Sequence, residues 1–349
     1  MKLEEIGTID NRVELENNDF VKTVLMILVV LYHSVVFWTN GWFSEAVQYP
    51  SEILRNIANW LNSFHIYGFT LVSGYLFFYL RFERDKYKAF QPFMLNKVKR
   101  LIIPAVMLTL IWVAPITNLF FDFNVIDNVK RYVLAISPNQ IWFLWMLFFV
   151  FIIAWLLSKI FYGNKILGAG VVLLLYGVGL AGSTLIPNCF QIWTALQYVV
   201  FFWIGFKIRQ NGSNLLMRIP SIVWIVSDVV LFAVIQFIPT TGMIFSVLNL
   251  GLTFLLNIVG ALMAFIVLQK IANCVNWKES KVFAFLSARS MPVYLFHQQV
   301  IYFTITWLNG AVNPYFNAVV NFAVALVVSL FISSILLKFK STRFLIGEK

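Results

Sequence analysis

The sequence predicts an all-α integral membrane protein, a bundle of about ten transmembrane helices with both termini cytoplasmic, and three observations carry that prediction. The chain has 349 residues, of which 60% are apolar and 17% aromatic. Only 12% are charged, against roughly 25% in an ordinary soluble domain. Apolar runs of about 20 residues, the length that crosses a bilayer, recur from one end to the other. No polar block approaches the roughly 50 residues that a separate soluble domain requires.

The runs lie near 20–41, 56–80, 101–121, 140–161, 166–185, 192–207, 219–238, 244–269, 291–309 and 317–338, each bounded by charges, Pro, Gly or Asn. An even number returns the C-terminus to the side where the chain began. With both ends inside, 23 of the 26 Lys and Arg residues face the cytoplasm and only Arg55, Lys130 and Arg131 lie outside, the bias that orients membrane proteins. Topology therefore accounts for the net charge of +11, and no nucleic-acid partner is implied. Residues 1–19 read as a cytoplasmic tail, 20–338 as one membrane domain and 339–349 as a second cytoplasmic tail. The first run is expected to remain as an anchor, because Glu4, Glu5, Asp10, Glu14, Glu16 and Asp19 stand where a signal peptide would be basic. Cys189 and Cys274 fall near opposite ends of different runs and read as packing cysteines, outside any disulfide or metal framework.

The first run, NDFVKTVLMILVVLYHSVVFW, opens with Asp19 and Lys22 and carries His33 well inside it. Lys22 and His33 are eleven positions apart, about three helical turns, so they share a face with roughly 16 Å of rise between them. One end of that face can hold an anion and the other can do proton chemistry. Ionisable groups at bilayer depth are costly and serve as functional candidates when they persist, which singles out His33, His65, Asp228 and His297. His65 and the asparagines Asn249 and Asn257 also suit hydrogen bonding between helices. Asp228 needs a partner that the sequence does not name.

Residues 81–100 form the densest cationic run and close with Lys97, Lys99 and Arg100 just before the third span. Two readings are open. The run is a stop signal beside anionic membrane lipids, worth about 1 kcal/mol per cation, or a clamp for a multiply charged phosphate. Residues 271–290 place Trp277, Phe283, Phe285 and Leu286 among Lys and Glu, the pattern of a short interfacial helix.

Five stretches in register, NDFVKTVLMILVVLYHS, FHIYGFTLVSGYLFF, FMLNKVKRLIIP, QIWFLWMLF and SMPVYLFHQQV, resemble the acyltransferase 3 family of membrane O-acyltransferases. The Asp-x-x-Lys opening is most similar to the fucose 4-O-acetylase-like polysaccharide O-acetyltransferase branch. The resemblance implies that His33 is the His of the family's Arg, ten residues, His signature, with Lys22 in place of Arg. Lys97 and Arg100 occupy the family's Arg-x-x-Arg motif, again with one Lys for Arg, a change that keeps charge and loses the planar fork. Ser73 with Gly74 matches a Ser-Gly pair, and His297 the His of Tyr-x-x-His.

The resemblance further implies an acyl-CoA donor, most commonly acetyl-CoA with succinyl as an alternative, held by Lys22, Lys97, Lys99 and Arg100 with no metal. The acceptor would be a hydroxyl of a surface polysaccharide or of a lipid-linked sugar, at the inner (plasma) membrane. His33, with Asp19 at the mouth of its helix, would be the general base or a transient acyl carrier. His65, Ser73, Asp228 and His297 would contribute to the acceptor or oxyanion site. The chain ends eleven residues after the last run, so no esterase-like extracytoplasmic domain is expected. The competing class, a transporter or flippase for glycan intermediates, would bring internal repeats or paired helix breaks, and neither is visible in the sequence.

Overall fold

The computed structural model describes residues 11–239 and 241–348, and all regular structure among them is helical. Helix α1 (Asn11–Val35) continues into a 3-10 turn, Val36–Thr39. It starts well before the first apolar run, so residues 11–19 of the expected tail are helical, while 1–10 lie outside the described residues. The reason is polar packing. The Ser213 hydroxyl donates to Glu14 at 2.5 Å, and Asn17 Nδ2 donates to Asn273 Oδ1 at 2.7 Å. Glu14 and Asn17 are both buried, so these polar residues extend the helix instead of fraying it.

The second apolar run is two helices, α2 (Glu52–Asn62) and α3 (His65–Phe78). They part at Ser63 and Phe64, where the Ser63 hydroxyl donates to Trp60 O at 2.7 Å. Average hydropathy is blind to such a break, which places His65 at the first position of α3. Helical run α4 (Phe90–Phe120) contains two widened turns, Val98–Ile102 and Thr109–Val113. Pro104 and Pro115 follow them; each lacks the N–H that would close an ordinary turn, and the wider π-type turns lie just upstream.

Apart from short connecting turns, the helices that follow are α5 (Asn139–Leu156), α6 (Lys165–Leu185), α7 (Cys189–Asn211), α8 (Ser221–Gln236), α9 (Met243–Cys274), α10 (Lys281–Ser287), α11 (Ser290–Leu308), α12 (Pro314–Leu336) and α13 (Lys340–Leu345). Helices thus overlap every expected run. Among the described residues, seven of them are long and apolar enough to cross a membrane: α1, α4, α5, α6, α7, α9 and α12. The others are the broken pair α2 and α3, the 16-residue α8, and α11, which carries His297, Gln298 and Gln299.

Helix α1 packs against α2, α3, α9, α11 and α12. The tightest crossing joins α3 to α7. A Cβ on Gly74 would lie 1.9 Å from Phe202 O, and one on Gly205 1.8 Å from Leu71 O. The two backbones therefore touch through paired glycines, as small residues allow between membrane helices.

Contacts sort the connecting segments into two ends of the bundle. At one, Gln48 N donates to Asn309 Oδ1 at 3.0 Å, and Gln191 Nε2 donates to Ala135 O at 2.8 Å. At the other, besides the Glu14 and Asn17 contacts, Arg209 pairs with Glu83 at 2.7 Å and Lys278 with Glu16 at 2.6 Å. The free thiols Cys189 and Cys274 belong to opposite ends. Within 271–290, α9 persists to Cys274 before a turn and α10, which α1 meets through stacking of Phe20 on Phe283 at 5.1 Å.

Candidate active site

Lys22, Met26, Val29 and His33 recur every three or four residues along α1 and face two cavities in succession. The first, of 410 Å³, is a vestibule whose polar lining includes Asp19, Lys22, Ser73, Lys97, Arg100 and Glu348. The second, of 280 Å³, is a chamber that includes His33 and His65. Val29, Ile66, Phe143 and Tyr294 line both, so the cavities meet at an apolar waist. The vestibule lies at the end of the bundle that carries Lys22 and Ser287. The far wall of the chamber is built from Trp42, Ser137 and Gln191, at the other end.

In the vestibule Lys22 Nζ pairs with Asp19 at 2.7 Å. Lys97 Nζ lies 3.4 Å from the centre of the Phe151 ring, with Tyr87 and Phe93 beyond. This aromatic cradle offsets the loss of water around the ammonium. The Ser73 hydroxyl is spent on Phe69 O at 2.9 Å. Lys99 is exposed and is not part of the lining. The C-terminal segment closes the wall: Gly347, at φ +77, runs so near α4 that a Cβ would lie 2.8 Å from Arg100 O. Burial pushes the Glu348 carboxyl above its ordinary range, opposed by Arg100 and Lys22.

In the chamber the His33 ring lies 4.9 Å from Tyr32, 4.9 Å from His297 and 5.8 Å from Trp42. His65 lies 4.8 Å from Tyr32. Two of the imidazoles have their tautomer set by backbone. His65 Nδ1 meets Leu61 O at 2.5 Å and His297 Nδ1 meets Tyr294 O at 2.8 Å. A carbonyl only accepts, so each Nδ1 carries the proton and each Nε2 keeps its lone pair. His297 sits behind His33, outside the lining, and its Nε2 is buried without a partner, as is Nδ1 of His33. Among the described residues no group of His, Cys, Asp and Glu is arranged to hold a metal ion.

Asp228 lies apart from both cavities. Fully buried on α8, it accepts a hydrogen bond from Trp60 Nε1 at 2.7 Å and so ties α8 to α2. Asp19 is in the vestibule, fourteen positions and about 21 Å of helical rise below His33. The structure thus gathers His33, His65 and His297 at one place and Asp19, Lys22, Ser73, Lys97 and Arg100 at another.

Sequence reasoning does not single out Tyr32, Trp42, Gln140, Tyr294, Gln298 or Glu348. Gln298 and Gln299 stand beside His297 in SMPVYLFHQQV, and Gln140 opens α5. An amide buried in an apolar helix carries the same desolvation cost that singles out the histidines. That cost is the signal by which the amides could have been found.

The chain is a multi-pass helical membrane protein in which a cationic vestibule meets a chamber of buried imidazoles at an apolar waist. The family model described as an acyltransferase domain matches residues 16–338, and the chain belongs to this acyltransferase 3 family. The protein is accordingly a membrane acyltransferase. No curated protein and no solved structure matches the chain.

Proposed function

We propose that the protein transfers an acetyl group from cytoplasmic acetyl-CoA to a hydroxyl of a cell-surface glycan or its lipid-linked precursor. In this reading it spans the plasma membrane ten times, with both termini and the vestibule on the cytoplasmic side. The observation that carries the proposal is the continuous line of Lys22, Met26, Val29 and His33 from vestibule to chamber. Lys22, Lys97 and Arg100 take the nucleotide phosphates, and Asp19 orients Lys22. The pantetheine arm passes the waist and delivers the thioester to His33, while the acceptor approaches from the opposite end.

Near neutral pH a sugar hydroxyl is a weak nucleophile until a base takes its proton. His33 Nε2 is that base, and as the imidazolium forms, Nδ1 of His33 turns its proton toward the unpartnered Nε2 of the neighbouring His297. The hydroxyl oxygen attacks the thioester carbonyl, the new C–O bond forms and the C–S bond breaks. The proton held on His33 then passes to the departing thiolate, so that an ester and free CoA result. His65 Nε2 keeps a lone pair, so it is an acceptor for a second sugar hydroxyl and no oxyanion donor in this tautomer.

Compositional analysis of surface glycans with and without the gene tests the proposal. Alkali-labile acetyl esters should disappear with the gene. Unchanged esters, together with acetyl-CoA left intact by the purified protein, would contradict it.

A further inference from the structure

Tyr294, Gln298 and Tyr302 occupy successive turns of α11, and the first two line the imidazole chamber. Gln298 is 3% exposed, and its Nε2 donates to the Tyr302 hydroxyl at 2.6 Å. Tyr302 is itself fixed, accepting from Asn139 Nδ2 at 2.8 Å and stacking on Phe43 at 5.2 Å. Its tether leaves Gln298 Oε1 buried with no protein partner. A buried carbonyl oxygen without a donor costs about 1–3 kcal/mol. A ligand that brings a hydroxyl recovers that cost.

The other walls suit the same ligand. Trp42 and Trp142 offer flat apolar faces, and Asn62 and Gln140 stand among them. Gln140 is held by a reciprocal amide pair with Gln299, at 2.6 and 3.1 Å, so it is a rigid wall and not a free arm. Aromatic faces take the C–H side of a sugar ring, and amides take its hydroxyls. A volume of 280 Å³ suits a single sugar residue.

Resting on the acyl-transfer reading above, we infer that the chamber binds one sugar residue of the acceptor, and that Gln298 Oε1 accepts a hydrogen bond from the hydroxyl beside the one acylated. Gln298 thereby decides which hydroxyl faces His33. The amide is a specificity-determining residue, and Tyr302 positions it.

The test uses the full-length protein in nanodiscs with acetyl-CoA and a panel of n-octyl pyranosides, including monodeoxy forms. Gln298→Met keeps the bulk of the side chain and removes the acceptor. Its KM for the glycoside should rise about fivefold, the worth of one net hydrogen bond, while KM for acetyl-CoA holds and esters spread over neighbouring hydroxyls. The glycoside lacking the neighbouring hydroxyl should be used equally well by wild type and Gln298→Met. Tyr302→Phe, which frees the amide, should move acceptor KM and ester position in the same direction by less, and it serves where the Met variant does not fold. An unchanged glycoside KM and ester position in both variants, or an equal loss on deoxygenation in wild type and variant, would overturn the assignment. A wild-type protein that acetylates no glycoside would overturn the acyl-transfer reading, and this inference with it.

Discussion

The Nδ1 of His33 and the Nε2 of His297 are both buried without a partner, on rings whose centres lie 4.9 Å apart. Because backbone carbonyls fix the proton of His297 on Nδ1, its Nε2 can only accept. In the His33 tautomer that carries its proton on Nδ1, the two unmatched atoms are a donor and an acceptor on neighbouring rings. His297→Phe should lower kcat more than KM and shift the acid limb of the pH–rate profile, the limb on which a base loses its lone pair. An unshifted profile would reduce His297 to packing.

The vestibule distinguishes neighbouring cations. Arg100 and Lys97 line it and Lys99 does not. Arg100→Ala should raise KM for acetyl-CoA roughly tenfold, the worth of one charged hydrogen bond, and Lys99→Ala should leave it near wild type. Kinetics at matched ionic strength check this, since added salt weakens phosphate binding in general.

Glu348 places a carboxylate among the cations that the donor needs. Its pKa lies above the ordinary carboxyl range because burial disfavours the charged form. Between the unfolded and folded pKa the native state holds more proton, so the folded, docked state loses stability as pH rises through that window. Protonation also removes the competing charge. Donor affinity should therefore improve as pH falls through the window, and Glu348→Gln should give the tighter binding at neutral pH. Titration of acetyl-CoA binding against pH in both proteins reads the difference.

The crossing of α3 and α7 predicts a stability effect. Gly74→Ala would press a methyl into Phe202 O, and overpacking of this kind costs about 1–3 kcal/mol. The variant should unfold at a lower temperature than wild type. A matched melting temperature would show that the helices separate freely.

Much of this arrangement is legible in the sequence. Each apolar run found by hydropathy is overlapped by a helix, and the spacing of Lys22 and His33 marks the line that joins the two cavities. The break at Ser63 is not legible, because a helix interruption among apolar residues leaves their average unchanged. Nor is the early start of α1, which depends on Glu14 and Asn17 finding Ser213 and Asn273, some 200 residues or more away. Asp228 reads as a site candidate for its charge. Its partner Trp60 comes from another helix and only the fold supplies it. Gln298 needs the reverse reasoning, since only the fold shows that it lines the chamber with an unpaired oxygen while Gln299 is spent on Gln140.

The most direct measurement is release of free CoA from acetyl-CoA by the purified protein in nanodiscs with a glycoside acceptor, comparing wild type with His33→Ala at matched thermal stability. Loss of the general base should cut the rate by about 10²–10⁴-fold. A variant that releases CoA and acetylates the acceptor at the wild-type rate would contradict the assignment of His33.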